Sequence, residues 1–591
     1  MNSLPPERGF LIGVIAPMTG SSGAGRKLRD AKFEPITRLT VNEAMRQWNV
    51  TLQIDVPGQI FDPPNHPLVL PFNCLNDFGP TAIAQKIPSV AAAMRLHTQL
   101  ASAPVEDFPL GAWSDFDGAV DPARWESQLG LATDPQGLTE CLTSILDSLS
   151  ATADGNWWQR LRQRSAREVL ARELQRFAAD QVSAVIHHSD FQQLLAAWRG
   201  LVYLLDQTAA QPQVEVRVLD ATLAALHRDL ERAVEFDQTL LFKRIYDEGL
   251  NSPGAPPYSL LVGGFEFGTP DHLDCLNRIS SVAAAAWVPF VSAASPALMN
   301  LQSWSELHQL PDLASVLNAN QLWQSLRDSY DSRFVHLCLP RIQLDWPASM
   351  GDCPAAFLSA DTPVDSTISC NPAFVVAGWL AGSQLYRGWC LPATEGDAGI
   401  VRGLMIEDQR DELGRHVLHF PVEAKIDAIS NMRDMHRFIQ ARELSLCGLL
   451  PLVQDLDRRT VRLVTLCSVA SLKAADATES PVLAQNQLAG SLEYLFPLAA
   501  VAHCIESNII GQTYRTSHEV EQALNEVLSK MVLPLAALEQ SRFPFDQAVV
   551  TVREALVRPD KWGAIVELQL GPRTVDPHQV LRLSFIVHCG C

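Results

Sequence analysis

The run from Ile186 to Leu205 constrains the fold of this chain more than any other segment. Apolar residues recur there at helical spacing, so that one face of the predicted helix is apolar; they are Phe191, Leu195, Trp198, Val202 and Leu205. A second amphipathic helix is predicted upstream, where Leu170, Leu174 and Phe177 recur among Arg and Glu. Downstream, valines at 214, 216 and 218 alternate with Glu215 and Arg217, which predicts a half-buried strand. The periodicity therefore predicts a helix–helix–strand unit of an α/β domain.

The residues of this segment also resemble a known family. The pattern His-His-x-x-Phe-Gln begins at His187, and Trp-Arg-Gly-Leu begins at Trp198. Together they resemble the start of the core of the large sheath subunit of type VI secretion systems (TssC, VipB or ImpC). Blocks that look like the next ones of that family follow in order: Arg228–Leu230, Phe242–Tyr246, Pro257–Gly263, Pro289–Phe290, Trp323–Arg327 and Arg333–Arg341.

The first hundred residues resemble the small sheath subunit (TssB, VipA or ImpB). The matching blocks are Leu70–Phe72, Asp77–Pro80 and Ile87–Pro88, followed by a helix predicted from about Thr81 to Leu100. The chain thus looks like the two sheath subunits fused into one. The resemblance implies a multidomain contractile-sheath fold of mixed α/β (α+β) class, similar to a phage tail sheath, and it implies no catalytic residue, metal or cofactor.

Shifts in composition suggest where the chain divides. Residues 1–100 form the small-subunit-like domain, and residues 101–135, with seven Asp or Glu against one Arg, form an acidic linker. Residues 136–182 are predicted to be helical. Residues 183–420 form the core of the large-subunit-like region, in which 346–420 is predicted to be rich in loops. Residues 421–591 form a C-terminal α/β domain that ends in strands.

Charge and composition narrow the possible partners and the compartment. The formal net charge of −20 argues against a general nucleic-acid or anionic-membrane binder. No apolar run approaches the roughly 20 residues that cross a bilayer, so direct membrane insertion is not expected. The twelve cysteines have no regular spacing, which is typical of free thiols in a reducing compartment. We therefore predict an intracellular protein, with Phe10–Ala16 as a first strand rather than a signal peptide. The resemblance to secretion-system sheaths implies the bacterial cytoplasm as its compartment.

Three features could be mistaken for active sites. The loop Gly20–Gly25 follows the first strand, but Arg26 and Lys27 stand where a phosphate loop has Lys and then Ser or Thr. A nucleotide-binding enzyme is therefore the less favoured alternative to a flexible turn. His187 and His188 are adjacent and point about 100° apart on a helix, which favours helix-start histidines over a metal site. The terminal Cys589-Gly590-Cys591 has no partner pair, which favours a frayed tail.

Alternation near the C-terminus predicts two strands that are candidates for contacts between subunits. Their apolar residues recur at every second position; they are Val566, Leu568 and Leu570, then Leu583, Phe585 and Val587. In the resembled sheath, strands of neighbouring subunits interlace into one sheet, a form of β-strand addition. The alternative is an ordinary hairpin that completes the local domain, and the sequence does not decide between the two.

A short stripe directly after the linker is a candidate for recognition by an ATPase. It consists of Leu138, Leu142, Ile145 and Leu149, at helical spacing. The resembled large subunit has an N-terminal helix that an AAA+ ATPase recognises after contraction, and this stripe lies in the corresponding place. The alternative is a helix of the core.

The sequence as a whole predicts a structural protomer of a contractile sheath. The resemblance implies helical homo-assembly around an inner tube protein, together with a baseplate and a disassembly ATPase of the AAA+ class. A role in a phage-tail-like sheath or baseplate is the alternative within the same class of assemblies. The enzyme that would use the Gly20–Gly25 loop is the alternative from another class.

Overall fold

The structure is a computed structural model of the whole chain. It describes residues 9–20, 28–54, 68–87, 90–91, 94, 178–179, 181–250, 255–310, 312–345, 367–387, 399–405, 407–410, 416–419, 435–455, 460–470, 491–509, 512, 514, 516–532, 545–554, 561–570 and 580–588.

The N-terminal region, residues 1–100, contributes small elements. They are β1 (Phe10–Ala16), β2 (Glu34–Pro35), α1 (Val41–Gln47), β3 (Thr51–Ile54), β4 (Leu68–Pro71), a 3₁₀ turn (Leu75–Phe78) and α2 (Pro80–Lys86). Strands β3 and β4 form an antiparallel hairpin.

The larger region begins with alternating helices and strands. They are α3 (Ser189–Thr208), β5 (Val214–Asp220), α4 (Leu223–Arg232), α5 (Leu240–Phe242), which continues as a π-helical segment (Lys243–Leu250), β6 (Leu260–Phe267), α6 (Pro270–Ala285), β7 (Phe290–Ala294), α7 (Leu313–Ala319), α8 (Gln321–Asp328) and β8 (Val335–Leu339). Short 3₁₀ turns lie at Phe236–Gln238, Pro296–Met299, Trp304–Gln309 and Tyr330–Phe334.

The rest of the larger region adds the remaining described elements. They are β9 (Ile342–Asp345), β10 (Thr367–Cys370), α9 (Pro372–Arg387), β11 (Ile400–Met405), β12 (Glu407–Arg410), β13 (His416–His419), α10 (Met435–Leu446), β14 (Leu449–Asp455), β15 (Thr460–Leu463), α11 (Leu492–Asn508), α12 (Ser517–Ser529), β16 (Phe545–Glu554), β17 (Lys561–Leu570) and β18 (Val580–His588).

One large sheet organises the described elements. Its nine strands lie in the order β11-β15-β14-β8-β7-β6-β1-β5-β2. The six strands from β14 to β5 are parallel, and antiparallel strands complete both sides. The chain runs from β1 to β5 on one side and then crosses to β6, β7, β8 and β14 on the other. This is a doubly wound arrangement, and it belongs to the α/β class that the sequence pattern predicts.

Both faces of the sheet are covered by apolar layers. Alternate residues of β1 point to opposite faces, so that Ile12 and Val14 belong to the layer with α3 and α9, while Leu11 and Ile15 belong to the layer with α4 and α6. All seven residues of β1 are buried, which explains its continuous apolar run. A third apolar cluster joins α11 and α12 to the sheet β16-β17-β18.

Local signals explain where α3 begins and what it buries. The side chain of His188 accepts a hydrogen bond from the backbone N–H of Asp190, which caps the first turn. The five apolar residues predicted to form one face of this helix are all buried. The predicted strand after it is β5, in which Val216 and Val218 are buried. These predictions are confirmed, whereas the upstream helix with Leu170 and Leu174 lies outside the described residues.

Two sequence predictions are corrected. The helix expected from about Thr81 to Leu100 is interrupted, since α2 ends at Lys86 and Ile87 is extended. The reason is Pro88, which disfavours helical backbone at the residue before it. The stretch 346–420 is not simply loops, because it contains the sixteen-residue helix α9 and several strands. Residues Ala373–Ala381 of α9 are buried on every side, so no amphipathic period marks this helix in the sequence.

Candidate assembly surfaces

The N-terminal region and the larger region share one sheet. Strand β1 lies between β5 and β6 and is parallel to both. Ile12, for example, is in register with Val216 on one side and with Leu260 on the other. A central strand that hydrogen-bonds on both sides and is buried on both faces cannot leave without opening the core. The two regions therefore form one folded unit around β1.

A buried carboxylate fixes the chain where β1 ends. Asp220, at the end of β5, accepts hydrogen bonds from the backbone N–H of Met18 (2.8 Å) and of Thr19 (3.2 Å). Its other oxygen accepts the hydroxyl of Thr19 at 2.7 Å. On the same turn, the indole Nε1 of Trp198 donates to the carbonyl of Met18 at 3.0 Å. These bonds satisfy buried polar groups of both regions at once.

Aromatic side chains extend the contact between the two regions. Phe72 and Phe78 of the N-terminal region stack with ring centroids 4.3 Å apart. Phe191 of α3 meets Phe78 edge-on at 5.9 Å, and Trp198 of the same helix lies 5.9 Å from Trp48. Aromatic pairs of this kind contribute about 0.5–1.5 kcal/mol each beyond the area they bury. The apolar face of α3 that the sequence predicts therefore packs against the N-terminal region.

The turn after β1 offers little to a phosphate group. A phosphate loop binds its ligand with free backbone N–H groups, but the N–H groups of Met18 and Thr19 already donate to Asp220. Gly20 has a positive φ of 96°, as in a tight turn. The remainder of the Gly20–Gly25 loop lies outside the described residues.

The adjacent histidines serve the start of α3. His188 caps the helix, and Nδ1 of His187 lies 2.8 Å from the carbonyl oxygen of Ser183. Within the described parts of the chain, no group of three or more His, Cys, Asp or Glu is arranged to hold a metal ion. Cys589 and Cys591 lie outside those parts. Nor does any described helix have the length and hydropathy to cross a membrane.

A pocket of about 670 Å³ opens at the carboxyl ends of the parallel strands. Pro17, after β1, and Phe265, near the end of β6, line it from the sheet, and Gln192 lines it from α3. At its rim, Arg341 and Glu266 form a bidentate ion pair at 2.6 and 2.7 Å. Because the charges of Arg341 and Glu266 neutralise each other, this pair offers no net positive charge to an anionic ligand in the pocket.

The predicted terminal strands exist and belong to a three-stranded antiparallel sheet. The order is β16-β17-β18, in which Val566 and Leu568 are buried against α11 and α12. Leu583 of β18 is in register with Val566, and Phe585 is in register with Ala564. Leu570 and Val587 occupy the strand positions opposite Phe545 and Trp562. The positions of the sequence pattern therefore lie on two neighbouring strands.

The edges of this sheet are β16 and β18. Strand β17 is hydrogen-bonded on both sides, so an incoming strand would meet β16 or β18 rather than β17. None of the described strands pairs with either edge, and the one described bridge there joins Val532 to Phe545 at the start of β16. Val549 on β16 is 46% exposed. Long unpaired edges of this kind bind further strands unless they are protected.

Two elements of the sequence prediction cannot be placed, and one was missed. The acidic linker and the stripe Leu138, Leu142, Ile145 and Leu149 lie outside the described residues. The missed element is the carboxylate anchor Asp220 with its partners Met18 and Thr19. A polar residue directly after a buried strand was the available signal, but it does not identify a partner about 200 residues away.

Comparison with known proteins agrees with this arrangement. Residues 168–470 match the tail sheath N-terminal domain family VipB, and residues 5–104 match the type VI secretion system family VipA. The type VI secretion system sheath protein TssC1 of Pseudomonas aeruginosa is 31% identical over 404 residues, which cover 65% of this chain and 78% of that protein. The N-terminal match contains β1, and the second match contains β5 and β6. The chain therefore belongs to the sheath proteins of type VI secretion systems and unites the small-subunit and large-subunit regions in one polypeptide.

Proposed function

We propose that this chain is a structural protomer of a contractile sheath, and that copies join through the open edges of the C-terminal sheet. The observation that carries the proposal is the three-stranded sheet, whose edge strands β16 and β18 have ten and nine residues. Membership in the sheath family supports the assembly, and strand addition supplies its bonding. An edge of one copy that accepts a different edge of the next is a heterologous contact, which produces helices when it does not close.

The fused halves suit such a protomer mechanically. Because β1 is central in the main sheet, a force applied to the N-terminal region or to the larger region acts on the same folded core. Fusion also fixes the stoichiometry of the two halves and raises their effective concentration for each other. Contraction would then be a change in how rigid protomers pack, with the strand-exchanged contacts holding neighbours together while other interfaces repack.

Paired proline substitutions test the contact through β18. Backbone N–H groups of successive strand residues point to opposite sides, so of Ser584 and Phe585 one faces β17 and the other faces the open edge. Proline removes the N–H at either position. A proline at the edge-facing position is tolerated by the protomer, whereas a proline at the other position breaks the internal ladder. Ser584→Pro and Phe585→Pro are thus controls for each other.

The readouts are circular dichroism with thermal unfolding for the protomer, and sedimentation with negative-stain imaging for tubes. We expect one variant of the pair to fold as well as the parent and yet form no tubes. The same pair at Val549 and Val550 tests β16. If every variant that folds also forms tubes, the edges do not join the copies and the proposal is wrong.

The resemblance extends the proposal to partners. We propose that the sheath surrounds an inner tube protein, is nucleated on a baseplate, and works in the bacterial cytoplasm. The same reading assigns no catalytic role to any residue, so pure protein is expected to show no nucleotide hydrolysis. Sustained ATP or GTP hydrolysis that is lost on deletion of residues 20–25 would favour the enzyme alternative.

Disassembly by an AAA+ ATPase is proposed to use the stripe after the linker. Four apolar residues at helical spacing support this, since a helix docks in a groove through few apolar anchors, each worth roughly 1.5–3 kcal/mol when buried. The double change Leu142→Ser and Ile145→Ser should weaken ATPase binding to contracted sheaths while assembly continues. Thr143→Ser, off the stripe, is the control. Unchanged disassembly, or an unfolded protomer, would contradict the proposal.

A further inference from the structure

Helix α11 connects the C-terminal sheet to the core. Leu492 and Phe496, in its first turns, pack into the layer that covers the main sheet. Tyr494, Leu498 and Ile505 pack instead against α12 and the sheet β16-β17-β18. The single helix α11 thus contributes apolar side chains both to the core around the main sheet and to the body formed by α12 and the C-terminal sheet. Any change in how α11 is seated would change how the terminal strands are held.

A partly buried carboxyl group near the end of α11 has one oxygen without a partner. Oε2 of Glu506 is inaccessible to solvent and has no hydrogen-bond partner in the described structure. Burial raises the pKa of Glu506 to about 7 from its ordinary 4.5. When the group ionises, Oε2 lacks the hydration that it would have in water and gains no donor in exchange, so the neutral acid is favoured.

The element that packs against α11 near Glu506 is unusual, and the contact between the two is called the seam below. Helix α11 packs against the π-helical segment Lys243–Leu250, from which Tyr246 interacts electrostatically with Glu506. Burial, and secondly the charge of Glu506, raise the pKa of Tyr246, so the phenol stays neutral and provides no charge for the carboxylate. Its ring stacks on Phe242 at 4.9 Å. π-helical turns are rare and often lie at functional positions.

The other charged groups near the seam are engaged elsewhere or exposed. On the π-helical segment, Arg244 and Glu248 form an ion pair with each other, while Lys243 and Asp247 are exposed. On α12, the side chains of His518, Glu519 and Glu526 are exposed, and Glu521, another acid, is partly buried. Among these described groups, none is placed to neutralise Glu506.

A polar bond beside Glu506 attaches α11 to the core. Nε2 of His503 donates to the carbonyl of Ala286 at 2.9 Å, at the corner after α6. The next residue, Trp287, packs against the apolar layer of the core with α4 and α6 and also against the apolar cluster of the C-terminal sheet. It has a positive φ of 52°. The seam thus combines one strong attachment with one carboxyl group whose charge opposes burial.

We propose that the seam between α11 and the π-helical segment is a charge-controlled joint, which is closed while the Glu506 carboxyl is neutral and is loosened when it ionises. The inference concerns the single protomer and does not depend on how copies assemble. Loosening frees the C-terminal half of α11 from Tyr246, while Leu492 and Phe496 keep the helix attached to the core. The terminal sheet then gains freedom to reorient as one body.

Hydrogen–deuterium exchange of the full chain at pH 6 and pH 8 tests the joint, with rates corrected for the intrinsic effect of pH. A group whose pKa is 4.5 in the open seam and about 7 in the closed seam raises the opening constant about tenfold over this interval. We therefore expect protection of peptides covering 498–508 and 243–250 to fall about tenfold. Peptides of β6 and β7, in the core, should not change.

Substitutions assign the effect to Glu506. In Glu506→Gln the fall between pH 6 and pH 8 should disappear, whereas Glu526→Gln, an equal change at an exposed site of the same body, should behave like the parent. Glu506→Met is a second neutral variant, for use if the glutamine variant folds poorly. The proposal is overturned if the parent shows no fall in protection, or if the fall persists in the neutral variants.

Discussion

Cutting the chain between its two regions should leave a complex that does not come apart. With a protease site inserted in the linker 101–135, cleavage produces an N-terminal fragment that still contributes β1. The large apolar side chains of β1 are all buried, at roughly 1.5–3 kcal/mol each; they are Phe10, Leu11, Ile12, Val14 and Ile15. Their sum, about 7–15 kcal/mol, is comparable to the roughly 4–15 kcal/mol lost on association. The ladders of β1 with β5 and β6 and the aromatic contacts of the N-terminal region with α3 add to it. We expect the fragments to co-elute at low micromolar concentration.

A single truncation measures the contribution of the strand. Ile12 has no exposed surface, and its neighbours in the sheet are Val216 and Leu260. Ile12→Ala should cost about 2–5 kcal/mol, which corresponds to a roughly 30-fold to several-thousandfold weaker complex. Most of this change should be in the dissociation rate. Leu39→Ala is the control, because Leu39 belongs to the same fragment but is 95% exposed.

The assay is exchange of the cleaved complex against excess labelled N-terminal fragment, followed on a sizing column. The parent and Leu39→Ala should exchange at the same slow rate, and Ile12→Ala should exchange much faster. Two results would refute the reasoning. One is separation of the parent fragments, which would mean that β1 is not held in the sheet. The other is equal exchange of Ile12→Ala and Leu39→Ala, which would remove β1 from the interface.

Three further predictions concern the stability of the protomer. Asp220→Ala should destabilise the chain by about 3–5 kcal/mol in urea unfolding, because it leaves the buried amide and hydroxyl of Thr19 without their acceptor; a loss below 1 kcal/mol would contradict this. Gly200→Ala should lower the melting temperature, since a Cβ there would lie 2.4 Å from Phe374, and an unchanged value would show that the two helices separate easily. Burial lowers the pKa of His336 to about 4 from 6.5, so the unfolded chain binds the proton first and stability falls as pH drops from 6.5 towards 4, by about 3 kcal/mol. His336→Gln should remove this part of the acid sensitivity, as followed by melting temperature against pH.

Local periodicity predicted the elements whose two sides differ. The first half of helix α3 and the first residues of strand β5 have one apolar side and one polar side, so that spacing alone reveals them. The terminal strands β17 and β18 were predicted for the same reason, and the structure confirms both as strands. Their role between subunits stays a prediction, as does the division into domains. The order of short residue blocks predicted the family, which the comparisons confirm.

Elements whose sides differ little in polarity were not predicted from the sequence. Helix α9 is apolar on all sides over Ala373–Ala381, so nothing in its spacing separates it from a buried strand or loop. Strand β16 was also not predicted. Ala548, Val550 and Val552 recur there at every second position, but Val549 stands among them and weakens the contrast between the two sides. Here tertiary packing, rather than an intrinsic pattern, selects the secondary structure.

The sequence by itself determined the helices and strands that have one apolar and one polar side, because side-chain spacing acts over a few residues. Only the tertiary structure decided that β1 lies between β5 and β6, since strand order depends on which buried surfaces meet across some 200 residues. The same holds for Asp220, whose role comes from the backbone of Met18 and Thr19. It holds equally for Glu506, an unremarked acid in the sequence whose pKa is raised only because the folded chain removes its water and supplies no donor.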